Sequence, residues 1–555
     1  MEYEQVYAAA ESDSHYLIDS RQARIYISAF NASASADIAE RIREAITGGE
    51  LDAAIINAGS MGYYDLEPVV VVEKPGLSGG IMYVNATQQN IAEHVCNYLH
   101  NGNPGPALCS TGSEKTGGIP HISELPRFAG QNRLVLRNCG YVSPENINHY
   151  IVRGKGYSGL ASALQMERTD VISRLKASGL RGRGGDGYPT ADKWRDFLNA
   201  EESEKYIICN AFDADPQSMT ARLLLRSDPQ SVLEGLLIGA YTTGAARCII
   251  CLDTQDKPGI RIIEKAIEQM KRYNLLGTNI LESNFSAEIE VREIACSLVS
   301  GEETALLRVL EGKQARPSMP NNYAAPRGYN GSPAVVNSAE TLANVSGIFR
   351  NGPEWLSSTG TEDCKGTKIV TLLDGAAPTA TVEVPFGTTL RTLVKDIGGW
   401  DITGVQAVRF GGCTGAYFSA GDLDVPVTCE AMSGAGSFFG PVTATVLGSG
   451  LCPVQSAREA ISYLQAESCG QCVFCREGTF QLSEILADIA EFKGKADDLR
   501  MLEELGGLMK KGCICGLGTN ASNPVLSSLK VFRDDYEAHI NEKRCKANGR
   551  RTRNN

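Results

Sequence analysis

Positive charge is scarce here: 53 Lys and Arg stand against 65 Asp and Glu, a formal net charge of −12 over 555 residues. That balance argues against a general nucleic-acid surface, and no stretch pairs basic patches with aromatic platforms. An apolar leader is also lacking. The opening MEYEQVYAAAESDSH is acidic and has no hydrophobic core, so a secretory signal is not expected. Long apolar runs are missing too. The most apolar segment, 232–252, contains Glu234, Arg247 and a Thr-Thr-Gly break, and reads as a buried helix followed by a strand rather than a membrane span. With 43% hydrophobic and 21% charged residues, the composition is that of a globular protein.

The chain is too long for one core, so several domains are expected. Residues 23–100 alternate strand-like runs (ARIYISAF, LDAAIINAG, EPVVVVEKPG, GIMYVNA) with helix-like ones, in the order of a thioredoxin-like domain. A Gly/Pro/Ser-rich linker follows over 101–118. The block 119–365 has α/β alternation and most of the dense glycine loops, the pattern of a Rossmann-like domain. The stretch 368–400 reads as a small β-grasp module, and from about 453 four amphipathic helices in succession read as a bundle. The predicted fold is α/β multidomain with units at 1–118, 119–365, 366–450 and 451–555. The basic tail KRCKANGRRTRNN is expected to be disordered.

What the chain does have is cysteine, 17 of them. An odd count without a secretory signal points to a reducing, cytoplasmic setting in which thiols act as ligands or core fillers. Cys139, Cys209, Cys248, Cys251 and Cys296 sit in apolar runs and read as core; metal binding at the Cys248/Cys251 pair is not expected. Residues 467–480, ESCGQCVFCREGTF, differ because Cys469, Cys472 and Cys475 stand in C-x-x-C-x-x-C spacing. A fourth thiol is available in KKGCICGLG (510–518), as Cys513 or Cys515, the second directly on the glycine turn. Three thiols on one turn plus a distant fourth is the ligand arithmetic of a [4Fe–4S] cluster. Zinc would more usually take two pairs separated by a loop. Gly470, Gly478, Gly512 and Gly516 are expected to let the backbone approach the cluster.

These residues carry a family resemblance. ESCGQCVFCREGT, CGLG and NPVLSSLKVFRDDYEAHI resemble the NADH-binding flavoprotein subunit of respiratory complex I and of NAD-linked hydrogenases, formate dehydrogenases and electron-bifurcating complexes. The resemblance implies Cys469, Cys472, Cys475 and Cys515 as ligands, with Cys513 a spectator, and makes the β-grasp module SLBB-like. It also bears on SGLRGRGGDGYPTADKW (178–194), a glycine loop whose backbone amides, with Arg183 and Lys193, could cradle a phosphate. By resemblance that loop binds FMN through Gly182, Arg183, Gly184 and Lys193, joined by Asn210, Gly301, Asn337, Ser338 and Thr341. Tyr188 and Asp213 belong to the nucleotide side, and Glu302, Glu303 and Asp215 are the expected catalytic acids. NAD(H) or NADP(H) would be the nucleotide. Partners would be other subunits, a thioredoxin-like [2Fe–2S] subunit and a large iron–sulfur subunit among them, on a peripheral arm without direct membrane insertion.

The sequence departs from the family pattern mainly around the nucleotide. CNAFDADPQSMTAR places Phe212, Gln217 and Ala221 where the family has an acid, a glycine and an aspartate, and Asp186 replaces an alanine. IACSLVSGEET lacks the family's glycines and tyrosine before Gly301. In the N-terminal extension Ser60 and Tyr64 stand where related chains carry cluster cysteines. Two readings follow: an NAD(P)H-linked flavoprotein with an atypical pocket, or the same electron-transfer subunit with another donor or acceptor, such as a quinone, ferredoxin or partner subunit. A purely structural paralogue is a third.

Overall fold

The computed structural model describes residues 1–547 except 20, 77–78, 113–117, 186, 201–203, 319–327, 438–439, 441 and 449. Three sheets and a helical C-terminal region make up the described chain. The first sheet contains β1 (Ala23–Ser28), β2 (Ala53–Ala58), β3 (Val69–Glu73), β4 (Gly80–Tyr83) and β5 (Cys109–Ser110), in the order β2-β1-β3-β4-β5. β1 runs parallel to β2 and antiparallel to β3. Continuous valines in β3 are buried on both faces, the pattern of a strand covered on two sides. Val70 and Val72 face the helices Ala32–Gly48 and Ile91–Asn101, while Val69 and Val71 face the rest of the protein. The stretch expected as a linker contributes β5, which pairs with β4, so 101–118 is only partly a connection. Composition signalled a loop there; two residues added to a sheet edge leave no periodicity to read.

The second sheet is all parallel: β6 (Tyr206–Asn210), β7 (Arg247–Asp253), β8 (Glu288–Ile294) and β9 (Ala334–Ser338), ordered β8-β7-β6-β9. The apolar segment at 232–252 divides, as expected, into the buried helix Pro229–Thr243 and β7. That helix lies against the helix Ala339–Asn351 so closely that a Cβ on Gly235 would fall 1.9 Å from the Leu342 carbonyl oxygen. The chain runs from β6 outward to β7 and β8, then returns to place β9 on the other side of β6. Between β6 and β9 it therefore leaves a topological switch point, with Asn210 opposite Ser338 at the carboxyl ends of the strands. Crevices at such points are where open parallel sheets bind ligands.

The third sheet holds β10 (Thr367–Asp374), β11 (Ala377–Pro385), β12 (Val405–Phe410), β13 (Ala416–Ser419) and β14 (Val442–Gly448), in the order β11-β10-β14-β12-β13. One hydrophobic core runs from Val6 through all three sheets to Val446, so the boundaries expected at 118 and 365 separate sheets but not cores.

The helices Pro453–Ala466, Val473–Ala490 and Ala496–Gly512 share a second core with the last segment. That last segment is two helices, Asn523–Val531 and Arg533–Asn541, broken at Phe532 (φ −120°, ψ 30°), rather than the single helix its periodicity suggests. Arg533, Asp534 and Asp535 open a new first turn there, and acids favour a helix start. The basic tail is only partly described: Cys545 is buried at its beginning, and 548–555 lie outside the described residues.

Candidate functional site

The glycine loop turns back on itself between Leu180 and Thr190. The Gly182 N–H donates to the Tyr188 carbonyl at 2.9 Å and the Thr190 N–H to Leu180 at 3.0 Å. Gly187 sits at φ +75°, a conformation side chains resist. Gly184 faces β9, where an added Cβ would come 2.9 Å from the Ser338 Cβ. The loop feeds the helix Thr190–Leu198, which carries Lys193. Asp186 lies outside the described residues.

Loop, switch point and C-terminal cysteine turn meet around one cavity of about 490 Å³. Of the expected residues, Gly182, Gly184, Tyr188, Lys193, Asn210, Asp215, Gly301, Glu302, Glu303, Asn337, Ser338, Thr341 and Cys515 line it. Lys193 Nζ donates to Glu303 at 2.6 Å and to the Val336 carbonyl at 2.7 Å, which fixes an ammonium on the wall. Trp194 Nε1 donates to Asn337 Oδ1 at 2.9 Å, so the donor end of that amide is left for other partners. Asn210 Nδ2 donates to the Gly301 carbonyl at 3.3 Å. Ser338 caps the helix Ala339–Asn351 through the Thr341 N–H, and the Thr341 hydroxyl accepts from the Arg183 N–H at 2.9 Å.

Two residues expected on the flavin and nucleotide side, Arg183 and Asp213, do not line the cavity. Arg183 is buried with its guanidinium turned away, donating to the carbonyls of Arg181 (3.0 Å) and Lys365 (2.8 Å) and stacked on Phe386. It braces the loop against the third sheet instead of offering charge to a phosphate. Asp213 is equally occupied. It accepts from Ser218 Oγ and from the backbone N–H groups of Ala221 and Arg222 at 2.8–3.1 Å, anchoring the start of the helix Thr220–Ser227. Burial raises its carboxyl above the usual range, and these donors oppose the shift.

The three acids have fixed partners as well. Glu302 caps the helix Glu303–Leu310 by accepting from the Ala305 N–H, Glu303 is paired with Lys193, and Asp215 accepts from the N–H groups of Gln217 and Cys413 at 2.9 and 2.8 Å. Sequence reading missed the wall formed by Gly411, Cys413 and Thr414, between β12 and β13. The run GGCTG (411–415) was the available signal.

Below this wall the five C-terminal thiols gather. Cys472 immediately precedes the helix Val473–Ala490, and Cys515 immediately precedes the short helix Gly516–Asn520. Cys513 hydrogen-bonds to Cys475, whose thiol is thereby lowered to about 6, and Ser468 Oγ lies 3.3 Å from the Cys475 sulfur. Cys515 feels the charge of Cys475 and Cys469, and burial lifts its thiol to about 11. Cys513 therefore stands directly beside Cys475, one of the expected ligands. Among the described residues no three of these sulfurs come within 4.8 Å of one another. Two glycines expected to approach the cluster do other work. A Cβ on Gly478 would strike Met509 at 2.7 Å and one on Gly512 would strike the Phe474 ring at 2.3 Å, so both permit close helix packing.

A glycine-lined crevice at a parallel-sheet switch point, sharing a wall with an all-thiol centre, defines a flavin and iron–sulfur electron-transfer protein. Comparison with known proteins makes the class specific. The family described as Nuo51 FMN-binding domain matches residues 175–347, and the NADH-ubiquinone oxidoreductase-F iron-sulfur binding region matches 455–539. The NADP-reducing hydrogenase subunit HndC of Solidesulfovibrio fructosivorans is 40% identical over 75% of this chain and 85% of its own length. An NADH-quinone oxidoreductase subunit of Streptomyces coelicolor is 35% identical over 71% of this chain and 88% of its own. A crystal structure of an NAD+-reducing [NiFe]-hydrogenase shares the fold, with a TM-score of 0.64 at 24% identity over 97% of this chain and 88% of that one. The chain belongs to the Nuo51 family: it is an oxidoreductase subunit of NADH dehydrogenase type that binds FMN and a [4Fe–4S] cluster. Among the described residues no helix is long and apolar enough to cross a membrane.

Proposed function

We propose that this chain is the nicotinamide-handling subunit of a multi-subunit oxidoreductase, with FMN seated at the glycine loop and the cluster on Cys469, Cys472, Cys475 and Cys515. FMN supplies the conversion between hydride and single-electron chemistry, and the cluster supplies one-electron storage. The chain's own residues bind and orient. Lys193, pinned by Glu303 and Val336, presents a fixed positive charge to a phosphate. Gly184 leaves the backbone bare against Ser338, and Asn210 and Asn337 offer amides at the ends of β6 and β9. Asp215 and Glu302 shape the loops around the nucleotide by holding backbone N–H groups. The observation behind this reading is the shared cavity: Lys193, Asn337 and Cys515 line the same space.

In finer terms we assign a thioredoxin-like unit (1–118, including β5), a Rossmann-like unit (119–365), a β-grasp, SLBB-like unit (366–450) and the cluster-binding bundle (451–555). The partners are other subunits, including a thioredoxin-like [2Fe–2S] subunit and a large iron–sulfur subunit, at a cytoplasmic site.

A second reading has its own support. Glu302, Glu303 and Asp215 already have partners within the chain, which favours a donor or acceptor other than nicotinamide. Anaerobic addition of NADH or NADPH to the FMN-loaded protein separates the two. Bleaching of the flavin band at stoichiometric nucleotide supports the first, and no bleaching while dithionite still reduces the flavin supports the second.

A further inference from the structure

Cys364 and Cys429, neither of which lines the cavity above, meet behind the glycine loop. Cys364 sits in a tight turn before β10, where the Gly366 N–H donates to the Thr359 carbonyl at 2.7 Å and the Cys364 N–H to the Thr361 hydroxyl at 3.1 Å. Cys429 comes 65 residues later; its N–H donates to the Cys364 sulfur at 3.4 Å, and the two thiols hydrogen-bond to each other. A Glu430 carboxylate oxygen lies 3.3 Å from the Cys364 sulfur and Arg181 Nη1 lies 3.7 Å from it.

This pair is not a core filler like Cys248 in β7, whose thiol burial alone pushes up to about 12. The hydrogen bond from Cys364, helped by the charges of Arg181 and Arg183 and opposed by burial, lowers the Cys429 thiol from 9.0 to about 7. Thiolates are the reactive form of cysteine. Only an ion pair covers the two sulfurs: Arg181 and Glu430 meet at 2.6 Å with side chains 25% and 54% exposed. The same groups press on the glycine loop. Arg181 Nε donates to the Gly187 carbonyl at 2.7 Å, and a Cβ on Gly187 would fall 3.0 Å from the Cys429 sulfur. Next to Cys364, the Lys365 carbonyl accepts from Arg183 at 2.8 Å.

We propose that Cys364 and Cys429 are a reversible thiol–disulfide site, oxidised by low-molecular-weight disulfides, that sets how firmly the glycine loop holds its flavin. Cys429 attacks one sulfur of the small disulfide as a thiolate, forming a mixed disulfide and releasing one small thiolate. Cys364 then gives its proton to the Glu430 carboxylate and attacks the Cys429 sulfur, displacing the second small thiolate. Two protein thiols are oxidised, one small disulfide is reduced, and the two protons end on the two small thiols. Bonding draws the sulfurs closer than hydrogen-bond contact, which takes Cys429 away from Gly187 and leaves the loop less supported. The effect on the flavin rests on the reading that FMN sits at this loop; the disulfide does not.

The test uses the full chain, purified anaerobically with its flavin and iron and incubated with 2-hydroxyethyl disulfide. Free thiols are then alkylated under denaturing conditions and the digest is read by mass spectrometry. A peptide cross-linked through Cys364 and Cys429 is expected in most molecules, absent after dithiothreitol and absent from C364S. Both cysteines recovered alkylated, with no such peptide, would overturn the site. Should C364S fail to fold, the wild-type cross-link and its reversal by dithiothreitol decide alone. Flavin fluorescence is expected to show FMN affinity at least threefold lower in the oxidised chain and restored by dithiothreitol, with iron content unchanged. If G184V weakens FMN binding and the cross-link does not, the coupling to the loop is overturned. If neither weakens it, what falls is the placement of the flavin, not the thiol pair.

Discussion

The N-terminal sheet and the C-terminal bundle answer the same question in opposite ways. By resemblance both are places for iron–sulfur clusters. In the bundle, Cys469, Cys472, Cys475, Cys513 and Cys515 gather within electrostatic reach of one another. In the loop after β2, Ser60 and Tyr64 stand where thiols would be needed, and each is absorbed into ordinary packing. The Ser60 hydroxyl donates to Glu67 and accepts from the Gly62 N–H, and the Tyr64 hydroxyl donates to Thr381 at 3.0 Å. The two regions differ in what their side chains do: thiols face one another in the bundle, whereas hydroxyls here are used up in hydrogen bonds to Glu67, Gly62 and Thr381.

The comparison is sharpest at the cluster. C515S is expected to lose nearly all cluster iron, while C513S keeps most of it despite the Cys513–Cys475 hydrogen bond; iron lost from C513S and kept by C515S would show that the structure's pairing, and not the family pattern, names the fourth ligand. Iron content and the visible spectrum read this directly. Next comes the loop. G184V puts a branched side chain against Ser338, where even a Cβ sits at 2.9 Å, and is expected to reduce bound FMN more than tenfold with iron unchanged. K193A removes a charge-assisted contact worth about 1.5–3 kcal/mol, so FMN affinity should fall by roughly 10- to 100-fold, measured by flavin fluorescence. R183K should change FMN affinity far less, because that guanidinium braces the loop from behind.

The smallest effect belongs to the N-terminal loop. Burial raises the Glu67 carboxyl from 4.5 to about 7, against the hydrogen bonds from Ser60 and the Phe30 N–H. An acid whose folded value lies above its unfolded value binds more protons when folded, so its contribution to stability declines as pH rises from about 4.5 to about 7 and then levels off. E67Q should therefore match the wild type near the acid end of that window and be more stable by about 1–2 kcal/mol above it, after allowance for partial exposure. Urea unfolding at the two ends of the window checks the sign. A stabilisation independent of pH would mean that the carboxyl is not the source.

Much of the site was legible because its chemistry demands particular atoms at short spacing. C-x-x-C-x-x-C and the glycine loop place their donors within one turn each, so their purpose shows in the string itself. Asn210 and Asn337 needed the family resemblance, since an asparagine ending a strand has no signature of its own. Arg183 and Asp213 show what the string leaves open: a charged residue near a glycine loop reads as a ligand contact, yet a buried side chain satisfied by carbonyls or backbone N–H groups serves equally well as a brace. The wall from Gly411 to Thr414 depends on contacts between segments far apart in the chain.

Sequence alone thus determined what is local: strands by their valine runs, helices by their periodicity, the thiol set by its spacing, and the acidic charge that disfavours nucleic acid. Tertiary structure decided which way Arg183 turns, that the three sheets share one hydrophobic core, and which distant donors converge. Periodicity and spacing record only each residue's relation to its near neighbours, whereas side-chain direction and long-range convergence are fixed by burial and hydrogen-bond satisfaction across the whole fold.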